Sequence, residues 1–157
     1  MKLSTRGRYS LRAMIDLARN QYNTTKPICL KDISLRQKIS LQYLEQLFNK
    51  LKKAGIVKST RGACGGYYLS SKAENISAGE IIRAVEGPIV LVDCIIDDQP
   101  NAKNTGNECV QIEDCVIKIL LEDISKKINH SLDAVSLRDL CDMKTYISER
   151  KSDHEKN

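Results

Sequence analysis

Three cysteines, Cys94, Cys109 and Cys115, share one polar stretch of the chain; 14 residues intervene between the first two and five between the last two. Thiolates are the donors that zinc and iron–sulfur clusters take, and three are one short of the usual four. The spacing matches neither the close pairs of a zinc ribbon nor a ferredoxin run. By spacing alone, unligated thiols serve as well as ligands. A second group is a run of polar side chains at the start of an amphipathic segment: Ser40, Gln42, Tyr43, Glu45 and Gln46. Gln bonds the adenine edge bidentately and Glu accepts from the cytosine amino group, so such a run reads base pairs. Glu45 has a plainer alternative as a carboxylate near a helix start. Lys50, Lys52, Lys53, Lys58 and Arg61 follow as candidates for phosphate contacts, which set register and affinity. Arg61 could instead enter a minor groove. Hydrolytic chemistry is poorly served. The only histidines are His130 and His154, neither beside a nucleophile, and there is no phosphate loop or HExxH.

These side chains need a frame, and the apolar periodicity supplies one. Tyr9, Leu11, Met14, Ile15, Leu17 and Ala18 predict a helix over 8–21. Leu30, Ile33 and Leu35 predict a short helix with Lys31, Asp32 and Arg36 outward. Ser40 is a good N-cap for a third helix, Leu41 to Ala54. Its apolar stripe is Leu41, Leu44, Leu47, Phe48 and Leu51, and Gly55 closes it. Two short strands, Ile56-Val57 and Tyr67-Tyr68-Leu69, flank the glycine-rich loop RGACGG. A helix-turn-helix followed by a hairpin is the order of a winged helix. Gly87-Pro88 ends another short helix, EIIRAVEG. From Val116, Ile117, Leu121, Ile124, Ile128, Leu132 and Val135 step by threes and fours along one seam suited to a partner copy. Cys29 and Cys141 sit in apolar contexts expected to be core, and Cys64 lies in the wing.

Charge separates along the same lines. Residues 1–73 carry 15 Lys and Arg against 3 Asp and Glu, net +12; residues 74–157 carry 10 against 17, net −7. A basic first half joined to an acidic second half points to a polyanion-binding module, although a solvated surface can segregate charge too. The 157 residues contain no Trp and one Phe, leaving Leu, Ile and Val to build the core. No run approaches the roughly 18 apolar residues of a membrane span. The N-terminal MKLSTRGRYS has no apolar signal core, so the expected location is cytoplasmic, with reduced thiols.

The segments MKLSTRGRYSLRAMIDLA, ISLQYLEQLFNKLKKAGIVKSTRGACGGYYL and SAGEIIRAVEGP resemble the Rrf-two family of bacterial transcription regulators. The likeness runs from Met1 to about residue 142, and the YLEQL–RGxxGGY pair is specific to the family. It implies a homodimer of winged helices joined by the long helix and bound to a palindromic operator. The fold expected is therefore mainly α with a small β-hairpin wing, an α+β winged helix-turn-helix plus a long dimerisation helix. The DNA-binding residues are Lys2, Ser40, Gln42, Tyr43, Glu45, Gln46, Lys52, Arg61 and Gly62. The domain reading is a DNA-binding domain over 1–90 and a cysteine-bearing loop over 91–115. A dimerisation helix with a short C-terminal helix follows over 116–145, and a disordered tail over 146–157.

In the cluster-holding members of that family, three cysteines in this region bind an iron–sulfur cluster. The resemblance thus implies a cluster on Cys94, Cys109 and Cys115, 2Fe–2S ahead of 4Fe–4S. The Cys109–Cys115 gap fits that pattern and the longer gap from Cys94 departs from it. Lys118 stands where such members have a histidine, leaving Glu108, Glu113, Asp114 or the other subunit as the fourth ligand. Nitric-oxide-sensing members supply an acidic residue near the N-terminus, where this chain has the basic Arg6 and Arg8. The family also holds cluster-free repressors of cysteine and sulfur metabolism controlled by a protein partner, and VEGPIVLV resembles that branch. The leading expectation is a cluster-sensing repressor and not an enzyme. A redox enzyme or cluster carrier using the same thiols is a third reading.

Overall fold

The computed structural model describes residues 3–22, 24, 26–62, 65–92 and 115–143. Helix α1 spans Thr5–Gln21 and starts three residues before the apolar periodicity does. The Ser4 hydroxyl accepts from the backbone N–H of Arg6 (3.0 Å) and Gly7 (3.3 Å), so capping sets the start. Helices α2 (Leu30–Gln37) and α3 (Leu41–Lys53) meet at a tight turn. There Lys38 takes a left-handed φ of 53° and Ile39 is buried. The turn is fastened from both sides: Ser34 Oγ donates to Ile39 O (2.6 Å) and Arg12 Nη2 to Gln37 O (2.5 Å).

Two sequence expectations for α2 are corrected. Leu35 is 70% exposed, because Leu30, Ile33 and Gln37 fill the buried face. Arg36 does not simply point outward. It pairs with the buried Asp16 of α1 through Nε (3.0 and 3.1 Å) and Nη2 (2.6 Å). Gln37 Nε2 donates to the same carboxylate at 2.7 Å. These bonds to Asp16 raise the Arg36 pKa above its ordinary value, the hydrogen bond more than the bare charge. The network joins α2 to α1 and satisfies a carboxylate that burial would otherwise penalise.

Helix α3 ends where Gly55 was expected to close it. Gly55 N–H bonds Lys52 O and Ile56 N–H bonds Leu51 O, both at 3.0 Å, with Gly55 at φ +75°. This paired closure uses up two terminal carbonyls, and its left-handed position favours glycine. The chain then forms an antiparallel hairpin, β1 (Val57–Thr60) with β2 (Gly66–Leu69), in the register Val57↔Leu69 to Thr60↔Gly66. An isolated bridge adds an edge not foreseen: Ile28 and Tyr67 exchange both backbone bonds at 2.8 Å. A Cβ on Gly66 would lie 2.5 Å from Ile28 O, so glycine permits this close approach.

A 3-10 turn (Ala73–Asn75) leads to α4 (Ala78–Glu86). Ser77 Oγ accepts from Glu80 N–H (3.1 Å) and Glu80 Oε2 accepts from Ser77 N–H (2.7 Å), a complete capping box. Helix α5 runs Val116–Asp133, starting where the seam predicted but stopping short of Val135, the seam's last residue. Residues 137–143 form a further helical segment, and Leu137, wholly buried, joins the core of the winged helix. Backbone bonds tie it there: Ala78 N–H to Val135 O (2.8 Å) and Leu137 N–H to Ile76 O (2.7 Å). The core itself is one cluster centred on Phe48, Met14, Leu17, Leu44, Leu51 and Ile81. Phe48 meets Tyr67 edge-on at 4.9 Å, joining α3 to the wing.

Helix α5 is different. Its one buried residue is Ser125, and Val116, Ile117, Ile119 and Leu120 are all more than half exposed. Among the described residues no helix is long and apolar enough to cross a membrane.

Candidate nucleic-acid interface

Packing divides α3 into two faces. Leu44, Leu47, Phe48 and Leu51 are buried, while Gln42, Glu45, Gln46, Asn49, Lys52 and Lys53 are exposed. The exposed set follows the three-and-four spacing of one helical face, which also predicts Asn49, a residue absent from the sequence reading. Ser40 lies at the N-cap, its hydroxyl accepting from Tyr43 N–H at 3.3 Å. Tyr43 is half-buried, its ring edge-on to Tyr9 at 5.9 Å, with the Arg12 guanidinium 5.5 Å over the Tyr9 ring. Tyr43 therefore braces α3 against α1.

Glu45 is not a capping residue. The third position of α3 is Tyr43, and Glu45 makes no hydrogen bond or ion pair among the described residues. Its charge is nevertheless felt by the wing. Burial first, and Glu45 second, push the Tyr67 phenol above its ordinary pKa. An unpaired exposed carboxylate among basic side chains is costly near a phosphate backbone.

Two expectations on α3 are corrected. Leu41 does not belong to the buried stripe; it is 39% exposed and outside the core cluster. Leu41 shares its angular position with Phe48, seven residues on, so it is exposed because the body of the domain ends short of the first helical position. Lys50 is not a free cation for phosphate: its Nζ donates to Val85 O at 2.9 Å, closing the C-terminal end of α4. Lys52, Lys53, Lys58 and Arg61 stay exposed with no ion pair among the described residues. Gly62, at φ +115° with open space around it, forms the wing tip beside Arg61. Gly65 N–H bonds Gly62 O at 2.9 Å, which tightens that turn. Arg6 and Arg8 lie exposed in the first turns of α1, and Arg6 lines one cleft with Tyr43. Helix α3, the wing and the first turns of α1 thus each carry exposed cations. Lys2 lies outside the described residues.

The cysteines are only partly described. Cys115 is half-buried at the N-cap of α5 and makes no side-chain capping bond. Cys94, Cys109 and Cys64 lie outside the described residues, as does the tail from 146. Among the described residues no group of three His, Cys, Asp or Glu could hold a metal. Cys29 is exposed at the N-cap of α2, correcting its expected place in the core; Ile28 pairs with the wing and turns the next residue out. Cys141 is buried as expected, its thiol directed at Ile15 O at 3.9 Å.

A polar seam connects these regions. Arg83 of α4 bonds Asn129 (2.9 Å) and Asp133 (2.5 Å) of α5. Asn129 Nδ2 donates to Ile89 O (2.8 Å), and Leu91 N–H donates to Ser125 Oγ (3.3 Å). The segment after α4 is strapped antiparallel along α5, running toward the end that bears Cys115.

Comparison with known proteins places this geometry. The family described as Rrf2, iron-dependent transcriptional regulator, matches residues 3–143. The regulator CymR of Bacillus subtilis is 43% identical over 129 residues, covering 80% of this chain and 90% of CymR. The regulator IscR of Klebsiella pneumoniae is 38% identical over 157 residues, covering 99% and 90%. Among solved structures, B. subtilis CymR, the global cysteine regulator, superposes with a TM-score of 0.69 at 38% identity, over 91% of this chain and 98% of that one. IscR of T. potens superposes with 0.68 at 35% identity, over 92% and 88%.

Proposed function

The chain belongs to the Rrf2 family of transcriptional regulators, and from that premise we propose a homodimeric repressor whose operator affinity follows an iron–sulfur cluster held by Cys94, Cys109 and Cys115. DNA reading falls to Gln42, Glu45 and Gln46, with Ser40 and Tyr43 shaping the helix tip. Lys2, Lys52, Arg61 and Gly62 contact the backbone or minor groove. The exposed apolar turns of α5 would pair the subunits. The protein is read as cytoplasmic and not as an enzyme.

The observation that carries the cluster reading is the strap along α5. Ile89 sits by Asn129 and Leu91 by Ser125, so two residues of the segment advance four of helix. Cys115 stands ten residues up the axis from Ser125, roughly 15 Å. Three residues of chain, about 10 Å of reach, separate Leu91 from Cys94. Full extension would leave about 5 Å along the axis, a gap that two cysteine side chains and a small cluster span, so chain length permits Cys94 and Cys115 to share one. Thiolate donors suit iron, and Cys115 has no capping bond to give up. When bound, a cluster would supply a redox- and supply-sensitive link between the strap and the dimer helix.

The second reading is a cluster-free repressor of cysteine and sulfur metabolism governed by a protein partner. The likeness to CymR in sequence and in fold favours it as strongly. Protein purified without oxygen separates the two. Visible absorbance with matched iron and sulfide, lost in Cys109→Ala, supports the cluster. Colourless protein after reconstitution, still binding DNA, supports the partner-controlled repressor.

A further inference from the structure

Once its internal partners are subtracted, the tip of α3 contains one side chain with no evident purpose. Ser40 spends its hydroxyl on the helix cap and Tyr43 its ring on Tyr9. Gln42, Glu45 and Gln46 are polar and suited to base edges. Leu41, at the first helical position, is 39% exposed, takes no part in the core, and lies one turn below Glu45 on the same side of α3. Water gains nothing from a leucine there, and polar residues favour that position equally. In a winged helix this is the end of the helix that enters the major groove. The major groove offers one apolar feature to such a side chain, the C5-methyl group of thymine.

We infer that Leu41 is a specificity-determining residue that packs on a thymine methyl, beside the base pair read by Glu45. The inference rests on the DNA-reading function proposed above. It explains why a leucine stands where the body of the domain does not need one. It also gives the helix tip three hydrogen-bonding readers and one apolar reader, so that a T·A pair is told from C·G by shape as well as by polarity.

The test uses the full-length protein and duplexes selected by it from a random pool. Each thymine of the selected site is replaced in turn by deoxyuridine, which removes only the methyl group. Burial of one methyl predicts that one thymine per half-site weakens wild-type binding about fourfold when replaced. Leu41→Ala should lose about the same factor on the thymine duplex and be indifferent to the replacement. Leu41→Met, which keeps an apolar end, should keep the sensitivity. Wild-type protein indifferent to every deoxyuridine overturns the inference while leaving DNA reading intact. So does Leu41→Ala that keeps full sensitivity. Failure of the wild type to select any sequence would instead overturn the DNA-reading function itself.

Discussion

Lys50 and Lys52 stand two residues apart on α3, yet their surroundings predict opposite roles. Lys52 is exposed with no partner among the described residues, whereas Lys50 Nζ bonds Val85 O at 2.9 Å. Each phosphate contact steepens the dependence of log affinity on log salt by about 0.9. A dimer carrying Lys52→Ala loses two, so the slope should flatten by about 1.8. Between 50 and 200 mM salt, wild-type affinity should then fall about tenfold more than that of the variant. Lys50→Met should leave the slope unchanged. Its cost should fall on stability, about 1 kcal/mol for a charged bond to the α4 terminus after discounting for solvent. Fluorescence anisotropy across a salt series, with urea unfolding of the same proteins, measures both quantities. Equal flattening by the two substitutions would refute the assignment of Lys50 to the fold. An unchanged slope for Lys52→Ala would remove that residue from the interface.

Three further outcomes follow from the same geometry. Leu137→Ala should cost about 2–5 kcal/mol in urea unfolding, because a wholly buried leucine of the winged-helix core is removed. A cost below about 1 kcal/mol would detach residues 137–143 from that core. Glu45→Ala should relax base preference in a selection experiment by about 1–3 kcal/mol, without changing the salt slope as a lost lysine does. Raised in the folded state, the Tyr67 pKa adds stability that is complete below the unfolded tyrosine value near 10 and lost as pH rises through the folded value. Alkaline spectrophotometric titration should show one tyrosine ionising late, and Glu45→Gln should bring it partly back. A Tyr67→Phe protein that keeps the late step would assign it to another tyrosine.

Much of this architecture was legible in the sequence because its signals are local. Caps at Ser40 and Gly55, the three-and-four spacing of α3 and α5, and the glycines of the wing act over one or two turns of chain. The basic first half and the RGACGG loop likewise announce a polyanion reader with a tight wing. Ser77 and Glu80 carried a capping-box signature that periodicity alone passed over. The exposed polar face of α3 was also predictable, because it is the complement of an apolar stripe.

What the tertiary structure alone decided are partnerships across the chain. Whether Leu41 is core, or Lys50 a free cation, depends on where the body of the domain stops and where α4 ends, distances that no spacing encodes. Nothing local marks Asp16: its partners Arg36 and Gln37 come to it from 20 and 21 residues away. Cys29 seemed apolar by its neighbours but is turned out by the pairing of Ile28 with Tyr67. The strap that lays residues 89–91 along α5 rests on single bonds from Ser125 and Asn129, two polar side chains of that helix. Local propensity chooses the elements, and long-range packing chooses which side chains are left over for DNA.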